Sequence, residues 1–340
     1  MTLPYPPRLS LACLPTRVEP LSRLGLRPPG AAPVWIKRDD QTGSDLSGNK
    51  VRKLEFLMAE ALERRSDVVL TCGGIQSNHA RATASAARRL GLDSVLFLRG
   101  EAPERAEGNV LLDRLLGARL IFITPEEYAR RNELLAAEAA RLESQGRRPY
   151  VIPEGGSNEV GSWGYVAMVQ ELAEQGFGGG GKVCHLFCAT GSGGTLAGLH
   201  LGVRLLGLPW RIWGVAVCDN EAYFRGRVTA ISEAFRQRYG AGEAIAAQDV
   251  RVLEGYRGPG YAKTYPRLLE EIRDVASVEG LFLDPVYTGK AFLGMADVLQ
   301  GATNERIPPE EEALFLHTGG IFSLFAYAAE LVPPGPLPVP

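Results

Sequence analysis

Short apolar runs alternate with segments of helical periodicity along the chain, and this alternation limits the folds that the chain can adopt. Strands are predicted at 34–37, 68–71, 94–98, 120–123, 150–152, 183–188, 211–217 and 313–317. Helices are predicted from about 50, from 78 to 90, at 109–116 and 126–145, after 158, at 196–206 and at 321–331. Strands that alternate with helices at this spacing form parallel sheets flanked by helices, so the sequence predicts the α/β class.

The 340 residues exceed the length of about 250–300 residues at which a single hydrophobic core stops growing, so two domains are predicted. A smaller α/β domain is predicted at 51–160, and a larger one at 1–50 together with 161–340. Residues 1–34 are rich in proline and are expected to run irregularly over a domain surface. Each domain is therefore predicted to hold an open, twisted parallel sheet.

Ligands of open α/β sheets bind outside the carboxyl ends of the strands. The loops after 68–71, 183–188 and 313–317 are therefore expected to form the walls of one cleft between the two domains.

Composition excludes several classes of partner and site. The net charge of −2 gives no strong field for nucleic acid or an anionic membrane. No apolar run approaches the ~18 residues of a membrane span, and no signal peptide is evident at the N-terminus, so a cytoplasmic location is predicted.

Five scattered cysteines argue against a disulfide framework, and Cys184 and Cys188, on one face of a predicted strand, are expected in the core. The histidines form no cluster with zinc spacing, so no metal site is predicted.

A turn rich in glycine and serine, Gly43 to Asn49, precedes a lysine at the start of a predicted amphipathic helix. Lys50 there faces the positive end of the helix dipole, which disfavours the ammonium form and lowers its pKa. Chemistry that needs a neutral amine, such as a Schiff base with an aldehyde cofactor, benefits from that position. A plain surface lysine at a helix start is an equal alternative on this stretch alone.

The second motif, Thr190 to Thr195, follows a predicted strand and opens a helix. Its glycines let the backbone approach an anion, which free N–H groups and the helix dipole bind. The loop lacks the Gly-Lys-Ser/Thr ending of a nucleotide P-loop, and Leu196 replaces the last glycine of the dinucleotide pattern. A small phosphate-bearing cofactor fits best, and a simple tight turn is the alternative.

The third motif, Gly74 to His79, places Ser77 and Asn78 at a helix N-terminus. Either residue could be only an N-cap. The adjoining glycines and the position at the carboxyl end of a strand favour a binding role for a substrate carboxylate. His79 taken singly is more often a packed or solvated histidine.

Hydroxyl groups also stand beside glycine- and proline-containing turns nearer the C-terminus. Tyr261 follows Gly258-Pro259-Gly260, Tyr287 follows Asp284-Pro285-Val286, and Thr318 lies in His317-Thr318-Gly319-Gly320. For the tyrosines, half-buried packing is the more common role. For Thr318, a hydroxyl partner for a ring nitrogen and a plain strand-to-helix turn are equally good interpretations.

Together these motifs resemble one family. Ser47-Gly48-Asn49-Lys50, Gly74 to His79, Thr190 to Thr195, Asp284 to Tyr287 and His317 to Gly320 are similar, in this order, to the pyridoxal-phosphate enzymes of the 1-aminocyclopropane-1-carboxylate (ACC) deaminase and D-cysteine desulfhydrase family. The resemblance covers nearly the whole chain. It implies a fold like that of the tryptophan synthase β subunit, pyridoxal 5'-phosphate as cofactor, a small amino-acid substrate and a homodimer.

The resemblance also implies roles for individual residues. Lys50 would be the Schiff-base lysine, and Asn49 and Asn78 would contact cofactor or substrate. Thr318 would face the pyridine nitrogen. The phosphate would be held by the loop of Thr190, Gly191, Ser192, Gly193, Gly194 and Thr195.

On the substrate side, the resemblance places Ser77 at the substrate carboxylate or in proton transfer. It places Tyr261 and Tyr287 along the substrate, with His79 and Thr288 beside them. The α-proton would be taken by Lys50, by a tyrosine or by Ser77, and these alternatives stay open.

Two positions point to one branch of the family. The deaminases that the chain resembles have glutamate where Thr288 stands and leucine where Thr318 stands. Threonine at both positions is similar to the desulfhydrases, and His79 fits that pattern better. The resemblance therefore implies elimination on D-cysteine, giving pyruvate, ammonia and hydrogen sulfide. Ring opening of ACC, elimination on another β-substituted alanine such as cysteate, β-replacement, and cofactor binding without catalysis are the alternatives.

Overall fold

The structure, a computed structural model, describes residues 3–332 of the chain. The proline-rich tail from residue 333, which its sequence predicts to be non-helical, lies outside the described residues. Among the helices that are described, none combines the length and the apolar character needed to cross a membrane.

Ten strands lie within the described residues. They are β1 Val18–Leu21, β2 Val34–Lys37, β3 Val68–Gly74, β4 Asp93–Arg99, β5 Arg119–Ile123, β6 Pro149–Val151, β7 Cys184–Thr190, β8 Arg211–Ala216, β9 Arg251–Leu253 and β10 Glu312–Leu316. All eight predicted strands are found, and β1 and β9 are additional. β1 interrupts the N-terminal segment that was predicted to be irregular.

Twelve α-helices connect these strands in residues 3–332. They are α1 Lys50–Glu63, α2 Asn78–Arg89, α3 Gly108–Leu115, α4 Pro125–Ala129, α5 Arg131–Ser144, α6 Glu159–Glu174, α7 Gly194–Leu205, α8 Glu221–Tyr239, α9 Pro266–Glu279, α10 Thr288–Leu299, α11 Ile321–Leu324 and α12 Ala328–Leu331. Short 3-10 turns occur at Asp39–Gln41, Glu154–Gly156, Ala247–Asp249 and Phe325–Tyr327.

The strands form two sheets, as the sequence predicts. One has six strands in the order β1-β2-β10-β7-β8-β9, and the other has four in the order β5-β4-β3-β6. Neighbouring strands are parallel except for β1 and β2. The predicted α/β class with two parallel sheets is therefore confirmed. The strands of the smaller sheet all lie within the predicted 51–160 unit, whose limits stay a prediction.

Several elements differ from their prediction. The helix predicted at 126–145 is two helices, because Thr124 caps a separate short helix and the backbone leaves helical geometry at Arg130. The helix predicted at 321–331 is divided by the 3-10 turn at Phe325–Tyr327. No element is predicted between 218 and 312, where α8, β9, α9 and α10 lie. β3 and β7 also extend into segments that were predicted to be loops, as far as Gly74 and Thr190.

Helix α1 begins at Lys50 as predicted, but it is buried almost all round rather than amphipathic. It packs against α2 and α6, and its polar residues are paired inside the protein. Arg52 donates to the carboxylate of Asp39 at 2.8 Å and to Glu171 at 2.9 Å, and Tyr165 donates to Asp39 at 2.7 Å. Removing one partner of such a buried pair typically costs about 3–5 kcal/mol. This cluster therefore fixes the position of the helix that carries Lys50.

The cysteine prediction for β7 is confirmed. Cys184 and Cys188 are fully buried in the hydrophobic core beside Leu186.

Candidate active site

A cleft of about 270 Å³ lies at the carboxyl ends of strands from both sheets. Residues after β3, β4 and β6 line one side, and residues after β7, β8 and β10 line the other. Most of the predicted site residues meet there, namely Asn49, Lys50, Ser77, Asn78, His79, Thr190, Gly191, Ser192, Gly193, Thr195, Tyr261, Tyr287 and Thr318. Gly194 and Thr288 are not among the lining residues. One cleft thus joins motifs that lie up to 268 positions apart, counted from residue 50 to residue 318.

Lys50 is the first residue of α1, and its side chain reaches into the cleft. Among residues 3–332 its Nζ has no hydrogen-bond partner. Burial lowers the pKa of Lys50 to about 8, although the carboxylates of Glu154 and Asp284 act in the opposite direction. The exposed area of the residue is intermediate, because it faces the cleft. A lowered pKa is as predicted, but burial is its main cause.

The turn before Lys50 is tied to two distant parts of the site. The backbone N–H of Asn49 donates to the carbonyl of Thr318 at 3.1 Å, and its side chain donates to Thr195 Oγ1 at 3.0 Å. Gly48 has φ of +101°, and a Cβ there would come within 2.9 Å of the Thr318 carbonyl oxygen. Asn49 therefore links the lysine to the Thr190–Thr195 loop, in addition to lining the cleft.

The loop from Thr190 to Thr195 is tightly packed at its glycines, most of all at Gly194. A Cβ on Gly194 would lie 2.5 Å from Ser157 Oγ, and one on Gly191 would lie 3.1 Å from the ring of Tyr287. Gly193 has φ of +85°. Gly194 N donates to Ser157 Oγ at 3.2 Å, so Gly194 supports the loop from behind instead of lining the cleft.

Several polar groups in this loop have no partner among the described residues. Thr190 Oγ1 is buried without a hydrogen bond, and so is Nε of Arg227, whose side chain packs on Gly193. The backbone N–H groups of Ser192 and Gly193 likewise find no acceptor in residues 3–332. Together with the N-terminus of α7, these donors fit a phosphate group. The loop and Lys50 therefore fit a phosphate-bearing aldehyde.

Ser77 and Asn78 occupy the N-terminus of α2, at the edge of the cleft. Ser77 is the N-cap, since its Oγ accepts from Ala80 N at 3.1 Å. The capping bond uses the oxygen as an acceptor, so the hydroxyl hydrogen is still available to a ligand. Asn78 Oδ1 accepts from Asn109 at 2.9 Å, which leaves its amide N–H groups as donors. The N-cap role is thus confirmed for Ser77, and it is compatible with carboxylate binding.

His79 is buried, yet its side chain borders the cleft. Its Nε2 lies 2.8 Å from Thr71 Oγ1, which itself donates to the Ile152 carbonyl. Since the hydroxyl hydrogen goes to Ile152, His79 must donate from Nε2, and Nδ1 has no partner among the described residues. Burial, with the nearby lysines Lys50 and Lys53, holds the pKa of His79 well below its usual value. The histidine is neutral at physiological pH.

Tyr261 and Tyr287 form a pair that lines the cleft. Their hydroxyls are 2.7 Å apart. Burial raises the pKa of Tyr261 to about 12, and it also raises the pKa of Tyr287 well above its usual value. Both phenols are therefore neutral at physiological pH and able to donate a proton. The glycine at 74 makes room for them, because a Cβ there would lie 2.8 Å from the Tyr261 ring.

The two threonines that distinguish the branches have different surroundings. Thr318 lines the cleft, and its hydroxyl makes no hydrogen bond within the described part of the chain. Thr288 is fully buried, and its hydroxyl donates to the Asp284 carboxylate at 2.7 Å. The placement of Thr288 gives no support to its predicted contact with substrate, which stays a prediction.

Other residues of the cleft were not found from the sequence. They are Cys72, Arg99, Tyr128, Arg131, Glu154, Cys218, Asp219 and Tyr223. Arg99 ends β4, and Glu154 lies three residues after β6. Because ligands of open α/β sheets bind at the carboxyl ends of strands, both residues could have been predicted from the sequence. Tyr128 and Arg131 belong to other elements and reach Glu154 at 2.6 Å and 3.0 Å. No local signal marks them.

Comparisons with known proteins agree with this site. The model of the pyridoxal-phosphate dependent enzyme family matches residues 9–319. The chain is 43% identical to a putative 1-aminocyclopropane-1-carboxylate deaminase of Thermotoga maritima, over 96% of this chain and 100% of that protein. It is 41% identical to a mitochondrial bifunctional D-cysteine desulfhydrase/1-aminocyclopropane-1-carboxylate deaminase of Arabidopsis thaliana, over 93% of this chain and 79% of that one. A solved ACC deaminase homologue has a TM-score of 0.84 and 36% identity, covering 96% of this chain and 95% of that one.

Proposed function

Since the chain belongs to the pyridoxal-phosphate-dependent enzymes, in the group of ACC deaminases and D-cysteine desulfhydrases, we propose that it eliminates hydrogen sulfide from D-cysteine. D-cysteine and water give pyruvate, ammonia and hydrogen sulfide. The fold of two parallel sheets and the cofactor agree with the sequence prediction. The names of the relatives include both activities, so the choice between them rests on the residues of the cleft.

The observation that carries the choice is the hydroxyl of Thr318. Thr318 lines the cleft, and its hydroxyl has no partner among the described residues. A carboxylate near the pyridine nitrogen, such as the glutamate that the resembled deaminases have where Thr288 stands, keeps the nitrogen protonated. A protonated ring withdraws more charge than a ring whose nitrogen has only a neutral hydroxyl partner. Loss of a good leaving group such as a thiol needs less withdrawal than the opening of a cyclopropane ring. Thr288, the other distinguishing residue, keeps its hydroxyl on Asp284.

The cofactor would be held by donors of the Thr190–Thr195 loop, by Arg227 and by Lys50. The donors of the Thr190–Thr195 loop would bind the phosphate, with the Arg227 guanidinium behind Gly193. Lys50 Nζ would supply the amine that bonds covalently to the cofactor aldehyde, and its lowered pKa favours the neutral form that this needs. When bound, the cofactor supplies an electron-poor ring that accepts the charge left at the substrate α-carbon.

The substrate half would bind the carboxylate and move protons. Ser77 and Asn78 offer donors at the positive end of the α2 dipole, which suits a carboxylate. Lys50, with a pKa of about 8, is able to take the α-proton once it is free of the cofactor. The neutral Tyr261–Tyr287 pair would donate a proton to the departing sulfur.

An assay of pyruvate release tests the proposal. The holoenzyme is given D-cysteine, L-cysteine and D-serine, with 2-oxobutyrate release from ACC measured in parallel. We expect D-cysteine to have the highest kcat/KM. A higher kcat/KM for ACC would contradict the proposal and support ring-opening deamination, the second candidate, which the name of the Thermotoga relative favours.

The Thr318→Leu and Thr318→Ser variants sharpen the assay. If the hydroxyl matters, Thr318→Ser keeps most of the D-cysteine activity, and Thr318→Leu loses about tenfold, the effect of one lost hydrogen bond of about 1.4 kcal/mol. Equal activity of both variants on D-cysteine would show that the Thr318 hydroxyl does not support the choice of D-cysteine over ACC. A homodimer and a cytoplasmic location stay predictions, and sedimentation of the holoenzyme checks the first of them.

A further inference from the structure

Arg81 lies in α2, three residues after Asn78, and it is almost fully buried without being among the residues that line the cleft. Burial lowers the pKa of Arg81 to about 10, and the carboxyl groups of Asp113 and Asp45 act in the opposite direction. The guanidinium is therefore charged at physiological pH. A buried charge is stable only when its donors are satisfied, so its partners show what this arginine holds in place.

The guanidinium donates to the turn that precedes Lys50. Its Nη2 donates to the carbonyl of Ser47 at 2.9 Å, and its Nη1 donates to the carbonyl of Asp45. Asn49, the last residue of that turn, is hydrogen-bonded to the Thr190–Thr195 loop and to the turn after β10. The turn is thus held at its middle by α2 and at its end by the other side of the cleft.

The same guanidinium is connected to the N-terminus of α2 through Asn109. Arg81 Nε makes a longer contact of 3.4 Å with Asn109 Oδ1, and Asn109 Nδ2 donates to Asn78 Oδ1 at 2.9 Å. Asn109 Nδ2 also donates to the Gln76 carbonyl at 3.0 Å. Since Asn78 lines the cleft, one guanidinium connects the turn before Lys50 with the proposed carboxylate site.

Two further residues surround the guanidinium of Arg81. The ring centre of Phe322, in α11, lies 4.9 Å from its carbon. Asp113, in α3, is fully buried, and its carboxyl oxygens have no hydrogen-bond partner among the described residues. Burial, opposed by Arg81, raises the pKa of Asp113 to about 8, so this carboxyl is mostly neutral at physiological pH. The donors of Arg81 are used on amide carbonyl oxygens, and two of these contacts hold backbone in place.

We propose that Arg81 is a positioning residue that holds the turn before Lys50, so that the lysine amine stays shielded from water in the cleft. The inference rests on the proposed role of Lys50 and adds to it a residue that does not itself line the cleft. Without the two carbonyl contacts, the turn would be free to move away from α2, and the Lys50 amine would gain access to water. A solvated amine keeps its proton at neutral pH, and a protonated amine cannot attack an aldehyde.

The titratable groups around Lys50 make no hydrogen bond with Arg81 in the described part of the chain. They come from α1, α2, β7, the turn after β6 and the segment before α10, and they are Lys53, His79, Cys188, Glu154 and Asp284. A substitution at Arg81 leaves these groups in place. It therefore acts on Lys50 through the turn.

The experiment follows the loading of the apoenzyme with pyridoxal 5'-phosphate in Arg81→Met and Arg81→Lys. The absorbance band of the covalently bound cofactor gives the rate at several values between about pH 7 and pH 9, on both sides of the lowered pKa of Lys50. Affinity for pyridoxamine 5'-phosphate is measured in parallel. This probe has the phosphate but no aldehyde, so its binding does not need the Lys50 amine.

Arg89→Met is the matched control. Arg89 also lies on α2 and also contacts Asp45, but it does so through an exposed ion pair with the carboxylate at 2.7 Å. Exposed pairs of this kind contribute at most about 1 kcal/mol. The control therefore removes an arginine from the same helix and the same turn without touching the backbone carbonyls.

We expect Arg81→Met to load about tenfold more slowly than wild type at about pH 7, the effect of a rise of one unit in the pKa of Lys50, and the difference to narrow towards about pH 9. Affinity for pyridoxamine 5'-phosphate should stay close to that of wild type. Arg81→Lys should lie between the two, because lysine keeps the charge without the fork. Arg89→Met should match wild type.

Wild-type loading rates in both Arg81 variants would overturn the inference. Equal losses of loading rate and of pyridoxamine 5'-phosphate affinity would also overturn it, since they indicate a general loss of structure. Should Arg81→Met yield no folded protein, Arg81→Lys decides by the same two measurements.

Lys50→Ala, loaded in parallel, separates this inference from the proposed function. A persistent band in Lys50→Ala would refute the proposed role of Lys50, and this inference with it. A lost band in Lys50→Ala together with unchanged loading in Arg81→Met refutes this inference alone. None of these measurements uses an amino-acid substrate, so they decide about Arg81 even if the enzyme releases no pyruvate from D-cysteine.

Discussion

The two halves of the cleft are built in different ways. The half that we propose to hold the cofactor phosphate, the phosphate half, is made of backbone and small hydroxyls, where Cβ atoms at Gly191 and Gly194 would meet their neighbours at 3.1 Å and 2.5 Å. The half that we propose to bind the substrate, the substrate half, is made of large side chains that contact one another, with Tyr261 hydrogen-bonded to Tyr287 and stacked on Arg99. Lys50 stands between the halves, and Asn49 before it is hydrogen-bonded to the side chain of Thr195 and to the carbonyl of Thr318.

This difference teaches where each half is sensitive. A backbone-built half depends on the absence of side chains, so added atoms should weaken cofactor binding and leave the chemistry unchanged. A half built from side chains depends on single polar atoms, so deleting one should impair the chemistry and leave the cofactor bound. Lys50 belongs to both, and its loss should affect both measurements.

The largest effect is expected for Lys50→Ala, which removes the amine shared by the two halves. We expect activity to fall about 10³-fold or more, because covalent catalysis loses its nucleophile, and the absorbance band of the covalently bound cofactor to vanish. Lys182→Ala, at an exposed lysine, is the control and should leave both unchanged. A strong band in Lys50→Ala would assign the covalent bond to another lysine.

The next effect is expected for Tyr287→Phe, which deletes one hydroxyl of the substrate half. We expect kcat to fall about 100-fold with cofactor affinity unchanged, since a positioned proton donor contributes at least that much. Tyr327→Phe is the control, because it loses a hydrogen bond to the Ala262 carbonyl but does not border the cleft. A loss of cofactor affinity as large as the loss of kcat would contradict the division into halves.

Gly194→Ala tests the phosphate half. The added methyl would lie 2.5 Å from Ser157 Oγ, and the loop must shift. Overpacking of this kind costs about 1–3 kcal/mol, so the dissociation constant of the cofactor should rise about 30-fold. At saturating cofactor, kcat should stay close to wild type. Gly226→Ala in α8, where the added methyl meets open space, is the control. Unchanged cofactor affinity in Gly194→Ala would argue against a phosphate in this loop.

The smallest effect concerns pH and the loading of the apoenzyme with cofactor. Burial lowers the pKa of Lys50 to about 8, so the amine is mostly charged below that value and mostly neutral above it. Attack on an aldehyde needs the neutral amine. The loading rate, followed by absorbance, should therefore rise about tenfold between about pH 7 and pH 9 and then level off. A rate that keeps rising beyond about pH 10 would mean an ordinary lysine pKa of about 10.4.

Much of the fold could be predicted because its signals are local. β2 has the predicted limits, and α1 begins at the predicted residue, Lys50. Helical and strand periodicity are properties of a few consecutive residues, and glycine-rich turns reveal themselves by composition. No helix or strand was predicted between 218 and 312, although Tyr261 and Tyr287 lie there. These two tyrosines were identified from the turns beside them, without the helices around them.

The sequence by itself determined the two-sheet α/β class, the start of α1 at Lys50 and the glycine-rich loop between β7 and α7, because helix starts, strand alternation and glycine turns depend on neighbouring residues. Tertiary structure alone decided that burial is the main cause of the lowered pKa of Lys50, and that Thr288 is hydrogen-bonded to Asp284 while Thr318 lines the cleft. Burial and pairing depend on which distant segments the folded chain brings together, and no local pattern contains that information.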